Sequence, residues 1–454
     1  MQTIRKLYIA VLLLTAAVCI YGTPRLTVVI AVDGLRSDNM EYMRNLWLPG
    51  GLRTLQDDAV ETQVKYDFNV QGDNETLATL LTGVQPSEHG LSHNQYFDRK
   101  DRQVRSFFED KSEQGIGTKE QVSLRRMPVA TLSDRYRLRY DKYTKIYAVG
   151  LQAGPTLLLA GHNANGFCWL DKKTRKWVTS TYCGAGLPSA ADAENISEQK
   201  SDNRNAPKIN SMVVDLALRL QEQEQMGMDD TPDLLLLQMS VVSSLATDRI
   251  QGKKDEDIHQ GLNQYLGFLI EQLQKRVSRD KVQFVVAGIP RHGQSAEQLE
   301  RIGIPTHTFN LGRATALTSV YLMALYGYEQ WLEGSYSESV FLNRKLIEEK
   351  GLDVHKISRQ VADFLMDFDG VQAAYPRADA LLVPAVTTGL AKAYIGDVVV
   401  SLLPGWRMTG DEDKEVDHVV DSQPDAPLYW LRYDEAVSLP MPLAGVDFVH
   451  LLLR

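Results

Sequence analysis

Carboxylates and imidazoles beside glycine mark the places in this 454-residue sequence where metal chemistry could occur. Asp33 ends the apolar run Leu26–Val32, and His292 follows a second apolar run that ends at Gly288. Both side-chain types bind divalent cations such as zinc. A plainer interpretation is also open: Asp33 caps the helix after its strand, and His292 makes structural hydrogen bonds.

The segments around these residues predict an α/β fold. Apolar runs without polar alternation are typical of strands that are buried on both faces of a parallel sheet. Helical patterns alternate with these runs, and this order predicts a mainly parallel central sheet flanked by helices on both faces. In such sheets the chemistry lies at the carboxyl ends of the strands. The predicted strands are Leu26–Asp33, Lys145–Gly150, Asp233–Gln238 and Val282–Gly288, and the clearest helices are Met212–Gln225 and Ile258–Val277.

The first residues have the pattern of a targeting segment. Two basic residues precede the apolar run Leu7–Tyr21, which is shorter than the roughly 20 residues that a membrane span needs. The small residue Gly22 closes the run, so residues 1–22 are predicted to be a cleaved signal peptide. The chain is then expected to be periplasmic or secreted, with residues 23–454 forming one α/β domain and no stable membrane span.

The cysteines fit that compartment without requiring a disulfide. Lipid attachment at Cys19 is not expected, because Val18 stands where a lipoprotein signal has a small residue. Signal cleavage leaves Cys168 and Cys183, which flank a predicted hairpin. An oxidising compartment would allow them to pair, and the alternative is two free or partly buried thiols.

The net charge of the chain argues against nucleic acid as a partner. The chain has 49 Lys and Arg against 58 Asp and Glu, a net charge of −9. Nucleic-acid binders need a basic face, so nucleic acid is not expected as a partner. The basic residues between Arg125 and Lys145 are interpreted as a solvated face, with contact to an anionic ligand as the alternative.

Several short motifs resemble, in their order along the chain, those of the alkaline phosphatase superfamily, in particular its phosphodiesterase- and nucleotide pyrophosphatase-like bacterial branch. The most specific is the Thr-Gly…Pro…His-Gly pattern at residues 82–90. The resemblance implies the family's fold and its chemistry, in which paired zinc ions held by Asp and His clamp a phosphoryl group that a Thr or Ser attacks. The other motifs lie at residues 32–34, 94–99, 160–162, 169–182, 291–293 and 425–428.

The first half of the chain keeps only part of the site that the resemblance implies. Asp33 matches the first metal-binding Asp, and Asn94 matches the substrate-binding Asn. The nucleophile position falls on Asp73, whose negative charge would repel an incoming phosphate. Gln152 and Gly154 stand where the phosphomonoesterases have a Lys and an Arg.

The second half departs further from the family pattern. Ser243 and Thr247 are the nearest counterparts of an Asp and a His ligand, and neutral hydroxyls are poor zinc ligands. Asp425 stands where the last His ligand is expected. In the Asp-His-Gly motif His292 is kept, and Arg291 replaces the Asp.

The matched positions leave one reduced metal site as a candidate. Asp33, Asp73 and His292 form a possible three-ligand set for a single divalent metal, zinc. Arg291 argues against a metal there, because its guanidinium between the two carboxylates can replace the metal's charge through bidentate hydrogen bonds. We therefore expect either no cofactor or one zinc ion, and favour the ion-pair substitution.

Together these matches imply a pseudophosphatase with a binding or scaffolding role in the cell envelope. The alternative is an active, metal-dependent phosphoester hydrolase that uses the reduced metal site. A third possibility is a binder of phosphorylated small molecules in which Asn94 holds the phosphate. The expected partner is accordingly an envelope protein or a phosphorylated small molecule.

Overall fold

The computed structural model describes residues 22–68, 74–184, 186–196, 206–242, 255–290, 303–383, 389–403, 405–409 and 426–454. Residues 1–21 of the predicted signal peptide lie outside these ranges. Among the described residues no helix is long and apolar enough to cross a membrane.

The strands fall into one large sheet, one small sheet and two short ribbons. Their bounds are β1 Leu26–Asp33, β2 Val60–Lys65, β3 Gln95–Asp98, β4 Gln103–Ser106, β5 Gly115–Ile116, β6 Ile146–Gly150, β7 Gly166–Leu170, β8 Trp177–Ser180, β9 Asp233–Ser240, β10 Val282–Ile289, β11 His307–Asn310, β12 Leu332–Tyr336, β13 Ser339–Leu342, β14 Val371–Pro376, β15 Val398–Leu402, β16 Trp406–Thr409, β17 Ala426–Leu431 and β18 Leu443–Ala444.

The helices lie between these strands. Their bounds are α1 Ser37–Met43, α2 Gly51–Asp58, α3 Glu75–Thr82, α4 Pro86–His89, α5 Leu132–Arg139, α6 Ala153–Ala160, α7 Ser189–Ile196, α8 Ala206–Gln223, α9 Asp255–Val277, α10 Leu311–Tyr326, α11 Arg344–Glu349, α12 Val354–Leu365, α13 Arg377–Ala380 and α14 Phe448–Leu452.

The large sheet has a parallel centre and antiparallel edges. Its order is β18-β2-β17-β10-β1-β9-β6-β7-β8-β5, and neighbouring strands from β10 to β7 run parallel. β17 and β8 are antiparallel to the strands beside them in that centre. The predicted α/β class with a mainly parallel central sheet is confirmed, and the edges make the whole sheet mixed.

Side chains from the central strands feed two hydrophobic cores, one on each face. In β1, Val28, Ile30 and Val32 enter one core, whereas Val29 and Ala31 enter the other. Because successive side chains of a strand point to opposite faces, a strand covered on both sides is apolar throughout. This is why β1 lacks polar alternation.

A small lobe stands beside the large sheet. Its four strands have the order β12-β13-β15-β14, and α10 and α12 pack with them around a separate core that includes Trp331, Val340 and Leu365. The sequence patterns did not anticipate this second sheet. Its segments lie between β10 and β17, neighbouring strands of the large sheet.

Candidate active-site cleft

A cleft of about 290 Å³ opens at the carboxyl ends of the central strands. Asp33 ends β1 and lies in register with Ile289 at the end of β10 and with Ser240 at the end of β9. The cleft is lined by Ala31, Asp33, Asn74, Leu77, Gln152, Pro155, Gln238 and Ile289. The structure therefore places Asp33 where parallel α/β sheets carry their ligands.

The backbone around Asp33 fixes the position of its carboxylate. The side chain is 5% exposed. Gly34 has φ +78°, a conformation that favours glycine, and a Cβ there would come within 2.3 Å of Val242. The helix after β1 begins at Ser37 with Arg36 at its N-cap. The plainer prediction that Asp33 caps this helix is therefore wrong.

Asn74 forms one wall of the cleft at the start of α3. Its side-chain nitrogen donates to Oδ1 of Asn94 at 2.6 Å. Its own Oδ1 is buried and has no hydrogen-bond partner within the described part of the chain. The predicted substrate residue Asn94 thus lies beside the cleft and contacts it through Asn74, which the sequence analysis did not single out.

Two glutamines form the opposite side of the cleft. Oε1 of Gln238 accepts hydrogen bonds from the backbone nitrogens of Leu151 at 2.9 Å and Gln152 at 3.3 Å. These bonds connect β9 to the turn before α6. Sequence reasoning missed Gln238, although a buried polar residue within the apolar run of β9 was a usable signal.

Close neighbours surround Gly154, the position that the resemblance matched to a cation of the phosphomonoesterases. A Cβ at this position would lie 2.8 Å from the Phe108 ring and 3.1 Å from Nδ2 of Asn74. A longer side chain would require both neighbours to move. An aromatic ring and an amide therefore occupy the space beside Gly154.

The described lining does not fit a zinc pair. It supplies one carboxylate, that of Asp33, and the amides of Asn74, Gln152 and Gln238. Zinc in proteins is held by thiolate, imidazole and carboxylate, and amides are not among these ligands. Within the described ranges, no cluster of three or more His, Cys, Asp or Glu side chains could hold a metal ion.

The remaining predicted site residues lie outside the described residues. They are Asp73, Ser243, Thr247, Arg291, His292 and Asp425. The three-ligand metal set and its replacement by Arg291 accordingly stay predictions.

Two histidines of the family motifs have structural roles. His89 is fully buried, accepts from the Leu91 backbone nitrogen through Nδ1 at 3.2 Å and donates to Thr79 at 3.1 Å. Burial lowers its pKa to about 3. His162 lies 2.7 Å from the Asp134 carboxylate, and this hydrogen bond raises the pKa of His162.

No disulfide joins Cys168 and Cys183, and both side chains are thiols. Burial raises the pKa of Cys183 to about 12. Of the two alternatives drawn from the sequence, the structure has the thiols rather than the disulfide.

The sheet with a parallel centre, and the aspartate that ends its first strand inside a cleft, agree with the alkaline phosphatase superfamily. The chain belongs to the type I phosphodiesterase/nucleotide pyrophosphatase family of that superfamily, whose model matches residues 27–425.

Individual relatives agree with this assignment. The chain is 28% identical to the alkaline phosphatase PafA of Elizabethkingia meningoseptica over 191 residues, 40% of this chain and 33% of that protein. It is 26% identical to the alkaline phosphatase PhoV of Synechococcus elongatus over 172 residues, 37% of this chain and 31% of that protein. The aligned segments thus span about a third of these curated relatives.

The fold similarity extends over nearly the whole chain. The crystal structure of wild-type PafA matches with a TM-score of 0.81 at 20% identity, covering 95% of this chain and 96% of that one.

Proposed function

We propose that this chain is a secreted or periplasmic pseudophosphatase whose cleft serves binding or scaffolding in the cell envelope. One observation carries the proposal: neutral groups fill the space beside Gly154. A phosphate dianion in a cleft needs cations or charge-assisted hydrogen bonds to offset its desolvation. Gln152 and Asn74 offer neutral amides instead.

The sequence of the reacting positions supports the loss of catalysis. Asp73 stands at the nucleophile position, and its negative charge opposes attack on an anionic phosphoryl group. Ser243 and Thr247 stand at metal-ligand positions and are poor zinc ligands. Arg291 stands beside His292 where the resemblance implies an Asp ligand, and its positive charge would oppose a metal ion there.

The second candidate function is phosphoester hydrolysis with one divalent metal. The position of Asp33 inside the cleft supports it, because the sequence resemblance matches this carboxylate to the family's first metal ligand. PafA and PhoV are alkaline phosphatases. On this alternative Asp33, Asp73 and His292 would hold the metal.

Metal content and turnover separate the two functions. The mature protein, purified without chelator or metal-affinity tag, is incubated with Zn²⁺ and its bound metal is measured. Hydrolysis of p-nitrophenyl phosphate and of the bis-ester is then compared among the wild type, Asp33→Ala and Asp369→Ala. Asp369 is exposed on the small lobe and serves as the matched control.

We expect almost no bound metal and turnover no higher than that of Asp33→Ala. One metal per chain, with turnover abolished by Asp33→Ala and by chelator but kept in Asp369→Ala, would establish the hydrolase instead. Two metals per chain would show that the ligand positions are misassigned.

A further inference from the structure

The outer side of α5 and the turn after it form an exposed basic face. We define this basic face by Arg135, Leu138, Arg139, Lys142 and Tyr143. The first three lie on one side of the helix, since residues three and four apart are neighbours there. Lys142 and Tyr143 follow in the turn and are both exposed.

Two cations of this face, Arg135 and Lys142, have no carboxylate partner among the described residues. Many arginines of those residues do lie in such ion pairs. Asp134 on the same helix points inward to His162. Asp141 is exposed in the turn after the helix. Two cations without a carboxylate partner therefore stand on a chain whose net charge is −9.

Apolar side chains project from the same face. Leu138 is 84% exposed and Tyr143 is 68% exposed. Nζ of Lys142 lies 5.0 Å from the centroid of the Tyr143 ring. An aliphatic and an aromatic side chain thus extend into solvent between cations.

Hydrogen bonds fix the backbone of the basic face. Arg137 donates to the carbonyl oxygens of Asn163 at 3.0 Å and Lys142 at 3.1 Å, which fixes the turn against the helix. Arg139 donates to a carboxylate oxygen of the terminal residue Arg454 at 2.7 Å, which offsets part of its charge. Because these contacts already order the backbone, docking would cost little further conformational entropy.

We propose that the basic face docks peripherally on an anionic lipid surface. Arg135, Arg139 and Lys142 would lie among the lipid phosphates, and Leu138 and Tyr143 would enter the boundary between headgroups and acyl chains. Cations combined with projecting leucine and tyrosine are the combination that membrane interfaces attract. An acidic protein would satisfy the cations without giving the isolated Leu138 an apolar environment.

Vesicle co-sedimentation tests the proposal with the full mature chain. Vesicles of equimolar phosphatidylcholine and phosphatidylglycerol are compared with pure phosphatidylcholine vesicles, at low and at raised salt. The variants are Lys142→Glu and Leu138→Ser, since Arg137 and Arg139 support the backbone. Matched controls are Lys345→Glu and Leu382→Ser, whose side chains are 86% and 80% exposed on the small lobe. Circular dichroism confirms folding of each variant.

We expect binding to the anionic vesicles alone, weakened by salt because charges are screened. Lys142→Glu and Leu138→Ser should each reduce the partition coefficient at least about fivefold, and the controls should leave it unchanged. The proposal fails if the wild-type protein does not bind anionic vesicles at low salt. It also fails if the control substitutions weaken binding as much as Lys142→Glu and Leu138→Ser do. Binding to soluble polyglutamate that is as tight as to vesicles, and insensitive to Leu138→Ser, would replace the lipid with an acidic macromolecule.

Discussion

At the residue scale, packing around Gly154 leaves little room for a side chain. A Cβ there would lie 2.8 Å from the Phe108 ring and 3.1 Å from Nδ2 of Asn74. Any side chain added at this position would therefore have to displace both neighbours.

Gly154→Ala should therefore destabilise the protein, even though alanine favours helices. We expect a loss of about 1–3 kcal/mol in the free energy of unfolding, since the new methyl group would overlap the Phe108 ring. Urea denaturation measures the change. Gly186→Ala is the matched control, because nothing lies within 4 Å of a Cβ at that position. Equal stability of the two variants would contradict the close packing.

Cys183 offers a second test at this scale. Its pKa of about 12 leaves very little thiolate near neutral pH, and the thiolate is the reactive form. Ellman's reagent should modify the native protein at least about tenfold more slowly than the urea-unfolded protein. Rapid modification of the native protein would contradict the buried environment, and absence of free thiol after unfolding would indicate a disulfide.

At the element scale, the loop before β3 connects the cleft to the small lobe. Asn94 contacts Asn74 at the cleft. Its neighbour His93 lies 3.0 Å from Oε2 of Glu338, which stands in the turn between β12 and β13. The ring of Tyr336 meets the His93 ring edge-on, with centroids 6.0 Å apart. One short segment therefore joins two parts of the molecule.

The pair of His93 and Glu338 predicts a pH-dependent stability. Burial lowers the pKa of His93, but the charges of Glu338 and Glu75 outweigh it, and the net shift is upward. Burial raises the pKa of Glu338, but the charge and hydrogen bond of His93 and the Ser337 hydroxyl outweigh it, and the net shift is downward.

Each shifted pKa makes the stability of the folded protein depend on pH. The contribution of His93 is present below its unfolded pKa and is lost as pH rises through the raised folded value. That of Glu338 is present above its unfolded pKa and is lost as pH falls through the lowered folded value. The free energy of unfolding should be higher for the wild type than for Glu338→Gln. This difference should be largest at pH values above the lowered pKa of Glu338 and below the raised pKa of His93. A difference that does not vary with pH would rule out the charged pair.

At the scale of the whole molecule, two lobes with separate cores meet along β3 and β4. Phe97 stacks on Phe341 of the small lobe with ring centroids 4.5 Å apart. Arg99 reaches the small lobe, where it binds the buried Asp397 at 2.5 Å and Glu333 at 3.1 Å. Arg344 binds Asp397 from within the small lobe.

Arg99→Ala should weaken this junction. We expect a loss of about 1–3 kcal/mol in the free energy of unfolding, below the usual cost of breaking a buried pair, because Arg99 is partly exposed and Arg344 still neutralises Asp397. Thermal and urea unfolding measure the change. Lys100→Ala, at the adjacent exposed position, should stay within about 0.5 kcal/mol of wild type. A loss in both variants alike would mean that the turn itself matters rather than the ion pairs.

The sequence by itself determined the central strands of the large sheet and the resemblance to the family. Apolar runs predicted β1, β6, β9 and β10 to within a few residues, because a strand that is buried on both faces consists almost entirely of apolar residues. The position of Asp33 at the end of β1 followed from the same pattern.

Only the tertiary structure decided what surrounds Asp33. Asn74, Gln152 and Gln238 come from separate segments of the chain, and no local pattern indicates that they line one cleft. His93 and Glu338 are likewise 245 residues apart in the chain, and only the fold brings them into contact. Local sequence records whether a side chain is buried, whereas which side chains meet depends on how whole elements pack.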